Sequence, residues 1–177
     1  MEINVAQLLK SPIGAEREYE VEGNIDIMGD GARCAVAGKV NLTRTDRSIL
    51  VRGRLVTEVG LTCSRCLSPL RCPLTINVEE EFFPTIDILT GARLAPPEEP
   101  EHFTIDERHI LDLTEAVRQA AIVAIPMKPL CQAGCAGLCP TCGHNLNLGA
   151  CGCPPVEEDA RWAVLRKLNL ADTEKGN

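Results

Sequence analysis

Apolar and polar residues alternate with a period of two through most of the first half of the chain. The alternation runs through four successive stretches, residues 19–27, 34–43, 49–61 and 72–82. In the first stretch the odd positions are apolar, aromatic or glycine, whereas the even positions before and between them are glutamate, aspartate or asparagine. A two-residue period places alternate side chains on opposite faces of a strand. With short connections between the stretches, the pattern predicts an antiparallel β meander, a partly closed, barrel-like sheet with one solvated face.

The other regular elements are expected to be short helices. Residues 4–10 are interpreted as a helix with Asn4 as its N-cap. A capping-box sequence opens a helix over residues 113–124, and its apolar stripe predicts that it docks on the sheet. A last helix is expected over residues 157–168. Residues 84–104 are rich in proline and glutamate, which is typical of a loop.

The pattern therefore predicts an α+β fold in two parts. Residues 1–128 form the antiparallel β domain with its docking helix. Residues 129–177 form a cysteine-rich, zinc-binding segment with the C-terminal helix, packed on the first part. With 177 residues, 45% of them hydrophobic, the chain is long enough and apolar enough to bury a core.

The expected compartment is the cytoplasm. No stretch approaches the roughly 20 apolar residues that cross a bilayer, and residues 1–10 lack the apolar run of a signal peptide. We therefore expect no membrane partner. Disulfides are rare in the cytoplasm, so the ten cysteines of this chain need another explanation.

Eight of the ten cysteines lie in four closely spaced pairs, the number needed for two four-cysteine metal sites. The preferred grouping has one set around each ion: Cys139, Cys142, Cys151 and Cys153 in one, and Cys63, Cys66, Cys131 and Cys135 in the other. Two thiolates separated by two residues can turn to one ion, and Gly143, just after such a pair, permits the positive φ of a metal knuckle. Zinc is favoured over iron because it needs no redox role. The alternatives are a single ion beside reduced thiols, or another matching of the pairs.

The two remaining cysteines have a simpler interpretation. Cys34 and Cys72 fall on the inward parity of their strands, which indicates small buried apolar residues rather than ligands. His144 lies within the cysteine-rich segment, but the thiolates around it are sufficient without it.

Charge is strongly segregated along the chain, although the net charge is −7. Residues 33–71 hold eight basic and two acidic side chains, a local charge of +6, whereas residues 72–115 hold two basic and eleven acidic ones, a local charge of −9. The basic segment suggests contacts with RNA phosphates, for which the candidates are Lys39, Arg44, Arg47, Arg52, Arg54, Arg65 and Arg71. Aromatic residues are only 3% of the chain, which argues against base stacking and favours recognition of folded RNA by shape. The alternative is that these basic side chains only balance the acidic side chains of the protein itself.

Catalytic motifs are missing from the sequence. Glycine-rich phosphate loops do not occur, so no small-molecule substrate is indicated. A redox CxxC belongs at a helix N-terminus after a strand, whereas Cys63 and Cys66 lie between two antiparallel strands. All-thiolate metal sites are normally closed and structural. We therefore predict no catalytic residues and no enzyme.

Three motifs in a particular order point to a known family. They are Cys63-x-Arg65-Cys66-Leu67, then Ile110-Leu111-Asp112-Leu113, then Cys135-x-Gly137-Leu138-Cys139-Pro140-x-Cys142-Gly143-x-Asn145-Leu146-Asn147. Over nearly the whole chain this resembles the YceD-like family, the large ribosomal RNA subunit accumulation proteins of bacteria and plastids. The resemblance implies a role in 23S rRNA accumulation or large-subunit assembly, with no catalytic residues.

Three functions are therefore weighed. The leading one is a non-catalytic factor that binds large-subunit ribosomal RNA or its precursor, together with a ribosomal protein in one variant of the hypothesis, and that is stabilised by one or two Zn²⁺ ions. The second is a protein adaptor whose acidic segment, residues 79–115, docks a basic ribosomal protein. The third, a thiol redox protein, lacks the motif context described above.

Overall fold

Most of the structured chain is one curled sheet. The computed structural model describes residues 1–97, 102–154 and 161. Four long strands pair antiparallel in chain order: β2 (Glu16–Asp26), β3 (Arg33–Arg44), β4 (Ile49–Thr62) and β5 (Pro69–Pro84). Apart from Ile27, which follows β2, these strands cover the four alternating stretches of the sequence. Their inward positions are mostly apolar and their outward positions meet water.

Three strands of three residues each complete the sheet. They are β1 (Glu2–Asn4), β6 (Phe103–Ile105) and β7 (Ile110–Asp112), and the sheet order is β1-β7-β6-β5-β4-β3-β2. β6 runs parallel to β5, whereas β1 and β6 are antiparallel to β7. The sheet curls into a half-barrel whose edges approach each other, since a Cβ on Gly23 of β2 would lie 2.6 Å from Cγ of Met1.

The helices are few and short. α1 (Ala6–Leu9) is shorter than the expected helix over 4–10, and Asn4 belongs to β1. The Asn4 side chain still accepts a hydrogen bond from the Ala6 amide at 3.1 Å. α2 (Thr114–Ala124) matches the expected docking helix to within one residue. No helix within the described ranges is long and apolar enough to cross a membrane.

The start of α2 differs from the capping box expected there. Asp112 accepts the backbone amide of Thr114 at 2.9 Å. Glu115 does not reach back to complete the box; its carboxylate instead binds the Arg118 guanidinium at 2.6 Å and the Gln119 amide at 2.9 Å. Arg118 and Gln119 follow Glu115 by three and four residues, and residues at these spacings are neighbours on a helix surface.

The core lies on the concave side of the sheet, under α2. Val117 and Ala121 of α2 are fully buried there, against inward residues of the strands such as Ile76 and Leu55. Gly53 faces the same interior, where a Cβ would meet Val40 Cγ1 at 2.5 Å, so that only glycine allows β3 and β4 to curl so closely. The helix expected over 157–168 lies outside the described residues.

Candidate metal centres and the charged sheet face

The first cysteine set joins two distant parts of the chain. Cys63 and Cys66 lie at the tip of the β4–β5 hairpin, and Cys131 and Cys135 follow α2. The four sulfurs lie within 4.8 Å of one another, with 3.8 Å between Cys63 and Cys135 and 3.6 Å between Cys66 and Cys131. A tetrahedral Zn–S bond of about 2.3 Å requires sulfurs about 3.8 Å apart. The spacing of the sulfurs therefore fits one ion, and all but Cys131 are buried.

The second set lies wholly in the cysteine-rich segment. Cys139, Cys142, Cys151 and Cys153 also place their sulfurs within 4.8 Å of one another. Cys139 is buried and Cys142 is exposed. The structure thus brings the eight cysteines together in the two groups that their spacing favours, and each group can hold a metal ion. The identity of the ion stays a prediction.

The two CxxC turns share one backbone design. In each, the amide of the first cysteine donates to the carbonyl five residues on, at 2.9 Å in the first set and 2.8 Å in the second. The residue after the second cysteine donates back to the carbonyl of the first, at 3.0 Å and 2.9 Å. That residue has a positive φ in both turns, 73° for Gly143 and 58° for Leu67. A leucine is strained in this region, where glycine is not.

The thiols of each set compete for ionisation. Backbone amides of Cys66 and Cys131 stabilise the Cys63 thiolate and lower the pKa of Cys63 to about 6. The Cys66 thiol beside Cys131 raises the pKa of Cys131 to about 12. In the second set the same causes hold the pKa of Cys139 at about 6 and raise that of Cys153 to about 12. A divalent cation removes this competition, because it favours the deprotonated form of every ligand.

The remaining candidates lie apart from these sets. Cys34 and Cys72 are half-buried against the sheet core, and neither contributes to a four-cysteine group. The His144 side chain is exposed and also belongs to neither group.

The hairpin tip is also tied to the cysteine-rich segment by hydrogen bonds that the sequence did not suggest. The Ser64 amide donates to the Pro129 carbonyl at 2.8 Å. Arg65, a candidate RNA contact, donates from its guanidinium to the Cys135 carbonyl at 3.0 Å. Arg65 therefore has a structural bond across the first set.

Several other candidate RNA contacts are paired with carboxylates. Lys39 Nζ lies 2.8 Å from Glu18, and Arg52 lies 2.8 Å from Glu79. Arg71 lies 3.1 Å from a glutamate of β4, and Arg47 lies 3.8 Å from the aspartate that precedes it. The first two pairs arise from strand order, because Lys39 of β3 and Arg52 of β4 lie beside the acidic outer rows of β2 and β5. Arg71, by contrast, is itself on β5, and Arg47 pairs within its own turn.

The charge of the outer sheet face is therefore not basic. The outward positions of β2 to β5 carry five basic and eight acidic side chains, a net charge of −3. The bases are Arg33, Lys39, Arg52, Arg54 and Arg71; the acids are Glu16, Glu18, Glu20, Glu22, Asp26, Glu58, Glu79 and Glu81. The excess of positive charge along residues 33–71 is thus offset in space by the acidic side chains of the neighbouring strands. Exposed ion pairs are individually weak, so a strong anionic partner can still displace them.

By its structure, this protein is a curled half-barrel sheet protein with two four-cysteine groups. Its particular family is shown by comparison with known proteins, which confirms the resemblance drawn from the motifs. The chain belongs to the family described as large ribosomal RNA subunit accumulation protein YceD, whose model matches residues 51–169. The matched region contains both cysteine groups.

Two curated relatives show how far the similarity extends. A protein of Zea mays named large ribosomal RNA subunit accumulation protein YCED homolog 1, chloroplastic, is 29% identical over 157 residues, 75% of this chain and 53% of that protein. An uncharacterized protein of Mycobacterium tuberculosis is 32% identical over 121 residues, 68% of this chain and 55% of that protein. The chain thus spans about half the length of the curated relatives it matches. No solved structure matches it.

Proposed function

We propose that this protein is a non-catalytic factor that supports accumulation of 23S ribosomal RNA and assembly of the large ribosomal subunit. The observation that carries the proposal is the family match over residues 51–169, which includes both cysteine groups. The Zea mays relative is named for accumulation of large-subunit ribosomal RNA. The test is to remove the gene and measure the ratio of large-subunit to small-subunit RNA. We expect the ratio to fall and the intact gene to restore it; an unchanged ratio would refute the proposal.

Both cysteine groups are proposed to hold structural zinc. Four thiolates in a closed tetrahedral arrangement leave no position for a water molecule or a substrate, which suits a structural ion and not a catalytic one. In the first set, sulfur spacings of 3.6 and 3.8 Å fit the edges of such a tetrahedron, and in the second set all sulfurs lie within 4.8 Å of one another. Cys63, Cys66, Cys131 and Cys135 would hold one ion, and the second set would hold the other.

Contact with the assembling particle is proposed to occur at the outer sheet face. Two kinds of partner are alternatives there, RNA and a basic ribosomal protein. Binding of RNA is supported by Arg54, an exposed residue of β4 that lies directly opposite Lys39 in the register of β3 and β4. Binding of a basic ribosomal protein is supported by the net charge of −3 on that face, because complementary charge steers partners together. The net charge makes the basic protein the favoured partner. This is an adaptor function, but its surface is the outer sheet face, which shares only Glu79 and Glu81 with the acidic segment 79–115.

Two charge variants of equal size separate these partners. The first is Arg52→Gln with Arg54→Gln, and the second is Glu18→Gln with Glu20→Gln, all at exposed outer positions. If phosphates bind here, the arginine pair should weaken binding to large-subunit RNA and flatten its log–log salt slope by about two, while the glutamate pair should not. If a basic protein binds here, the glutamate pair should release ribosomal proteins from the tagged factor. Full retention of both partners by both variants would refute the outer face as the contact surface.

A further inference from the structure

Asn147 connects the two cysteine groups. It lies in a 3₁₀ turn, Leu146–Leu148, between the second and third cysteines of the second set. Its side chain, however, lies at the first set, where the amide nitrogen donates to the Cys135 sulfur at 3.4 Å. Cys135 is buried and Asn147 is half-buried, so this bond is partly shielded from water.

The orientation of the Asn147 amide is set by three further hydrogen bonds. Its nitrogen also donates to Oδ1 of Asn145 at 2.7 Å. Its oxygen accepts from the Ala136 backbone amide at 2.9 Å and from the Gln132 side chain at 3.1 Å. A flipped amide would set its oxygen against a thiolate and against the Asn145 oxygen, so the bonds assign the nitrogen to the sulfur.

The second set holds the turn that presents Asn147. Cys139 donates from its amide to the His144 carbonyl at 2.8 Å, and Leu146 donates to the Gly137 carbonyl at 2.9 Å. Leu138 and Asn145 also form a β-bridge in this short hairpin. A metal ion bound by Cys139 and Cys142 would therefore keep the hairpin closed.

A second bond links the same hairpin to the first set. The Asn145 amide nitrogen donates to the Ser68 hydroxyl at 3.1 Å. Ser68 follows Cys66 by two residues, and its carbonyl accepts the Cys63 amide at 2.9 Å. The hairpin thus contacts both chain segments that form the first set.

We infer that Asn147 is a positioning residue that couples the two metal sites, so that metal in the second set strengthens metal binding in the first. This inference rests on the proposed function, in which both sets hold metal. Hydrogen bonds to a metal ligand orient it and moderate its charge, and their loss typically costs about 10–100-fold in affinity. Because coupling of binding free energies is reciprocal, metal in the first set strengthens binding in the second by the same factor.

A double-mutant cycle tests the coupling in the full chain. Zn²⁺ is withdrawn by a chelator of known affinity, and occupancy of the first set is read from protection of Cys63 and Cys66 against alkylation. Cys142→Ser, which disables the second set, should lower the affinity of the first set about 10–100-fold. In an Asn147→Ala background, whose own first-set affinity is already lowered, Cys142→Ser should have little further effect.

Two further variants separate positioning from general stability. Asn147→Asp keeps the size of the side chain but removes the N–H donor, so it should weaken the first set at least as much as alanine does. With Co²⁺ as the probe, it should also shift the thiolate-to-metal absorption band, which a distant stability defect would not do. Asn41→Ala is the matched control, because the Asn41 amide binds Glu16 at 3.1 Å on the outer sheet face; neither affinity nor band should change.

The outcomes distinguish the coupling from the metal proposal itself. If the wild-type protein binds no Zn²⁺ or Co²⁺, the proposed metal sites are wrong. If it binds two ions, but Cys142→Ser weakens the first set equally with and without Asn147, the coupling is wrong. Should Cys142→Ser fail to fold, the titration of wild type against Asn147→Asp decides: cooperative metal uptake that the aspartate variant loses supports the coupling, and identical uptake curves refute it.

Discussion

Removal of the metal is expected to unfold residues 129–153 while the sheet stays folded. Residues 129–153 are tied to the rest of the described chain at the hairpin tip, through the first cysteine set and through bonds such as Arg65 to the Cys135 carbonyl. Its apolar packing is a small satellite of buried cysteines with three half-buried leucines around them, separate from the core under α2. The two parts therefore draw on different sources of stability.

The magnitudes favour local unfolding. Ordering the backbone costs about 1–2 kcal/mol per residue, whereas full burial of one leucine contributes only about 1.5–3 kcal/mol. Three half-buried leucines cannot offset the ordering of the whole segment. A structural zinc ion contributes about 10–16 kcal/mol in small zinc-binding peptides, which is of the size required. The sheet retains its own buried cluster, including Leu55, Ile76 and Phe82, when the metal is absent.

Hydrogen exchange followed by mass spectrometry measures this directly. The metal-loaded and chelator-treated proteins are compared peptide by peptide. In the chelated protein, amides in residues 129–153 should exchange at least about a thousandfold faster, which corresponds to losing about 4 kcal/mol of opening free energy. Peptides from β2 and β3 are the internal control and should keep their protection.

Either of two results would refute this reasoning. Equal protection of residues 129–153 with and without metal would show that the segment folds without an ion. Simultaneous loss of protection throughout the sheet would show that the chain is one cooperative unit, against the expected division near residue 128. Cys72→Ala provides the matched control, since that cysteine lies outside both sets and should leave the exchange pattern unchanged.

Three further predictions test the fold around the sites. Cys34→Ala and Cys72→Ala should each retain the full zinc content by metal analysis and cost about 1 kcal/mol in denaturant unfolding; loss of one zinc equivalent would identify a missed ligand. Gly53→Ala should cost about 1–3 kcal/mol, because the new methyl group meets the backbone of β3 at 2.8 Å, whereas Gly60→Ala on the same strand meets nothing within 4 Å and should cost less; equal costs would contradict the close strand approach. Arg118 lowers the pKa of Glu115 to about 2, below its unfolded value, so this residue stabilises the fold above about pH 4.5 and loses that effect as pH falls toward 2. Glu115→Gln should therefore flatten the pH dependence of unfolding in that window, and an unchanged profile would argue against the ion pair.

Local spacing was informative where one short segment decides the structure. The two-residue alternation located β2 to β5 because each strand must put its apolar positions on one face. The CxxC pairs indicated metal knuckles because both ligands come from a single turn. By contrast, β1, β6 and β7 have three residues each, too few to show a period, and they form because neighbouring strands offer them hydrogen bonds.

The charged face shows why sequence proximity can mislead. Residues 33–71 are basic as a segment, yet Arg52 lies beside Glu79 and Lys39 beside Glu18, each on the neighbouring strand. Antiparallel pairing moves residues that are tens of positions apart to within hydrogen-bond distance. No count along the chain could therefore give the net charge of a surface.

What the sequence by itself determined is the family, the four long strands, the docking helix and the set of eight paired cysteines, because each depends on short-range period or spacing. Only the tertiary structure decided that the outer sheet face is acidic and that Asn147 of one cysteine loop donates to Cys135 of the other set. Those contacts depend on register and on the path of the chain between distant segments. A short-range pattern contains no information about either.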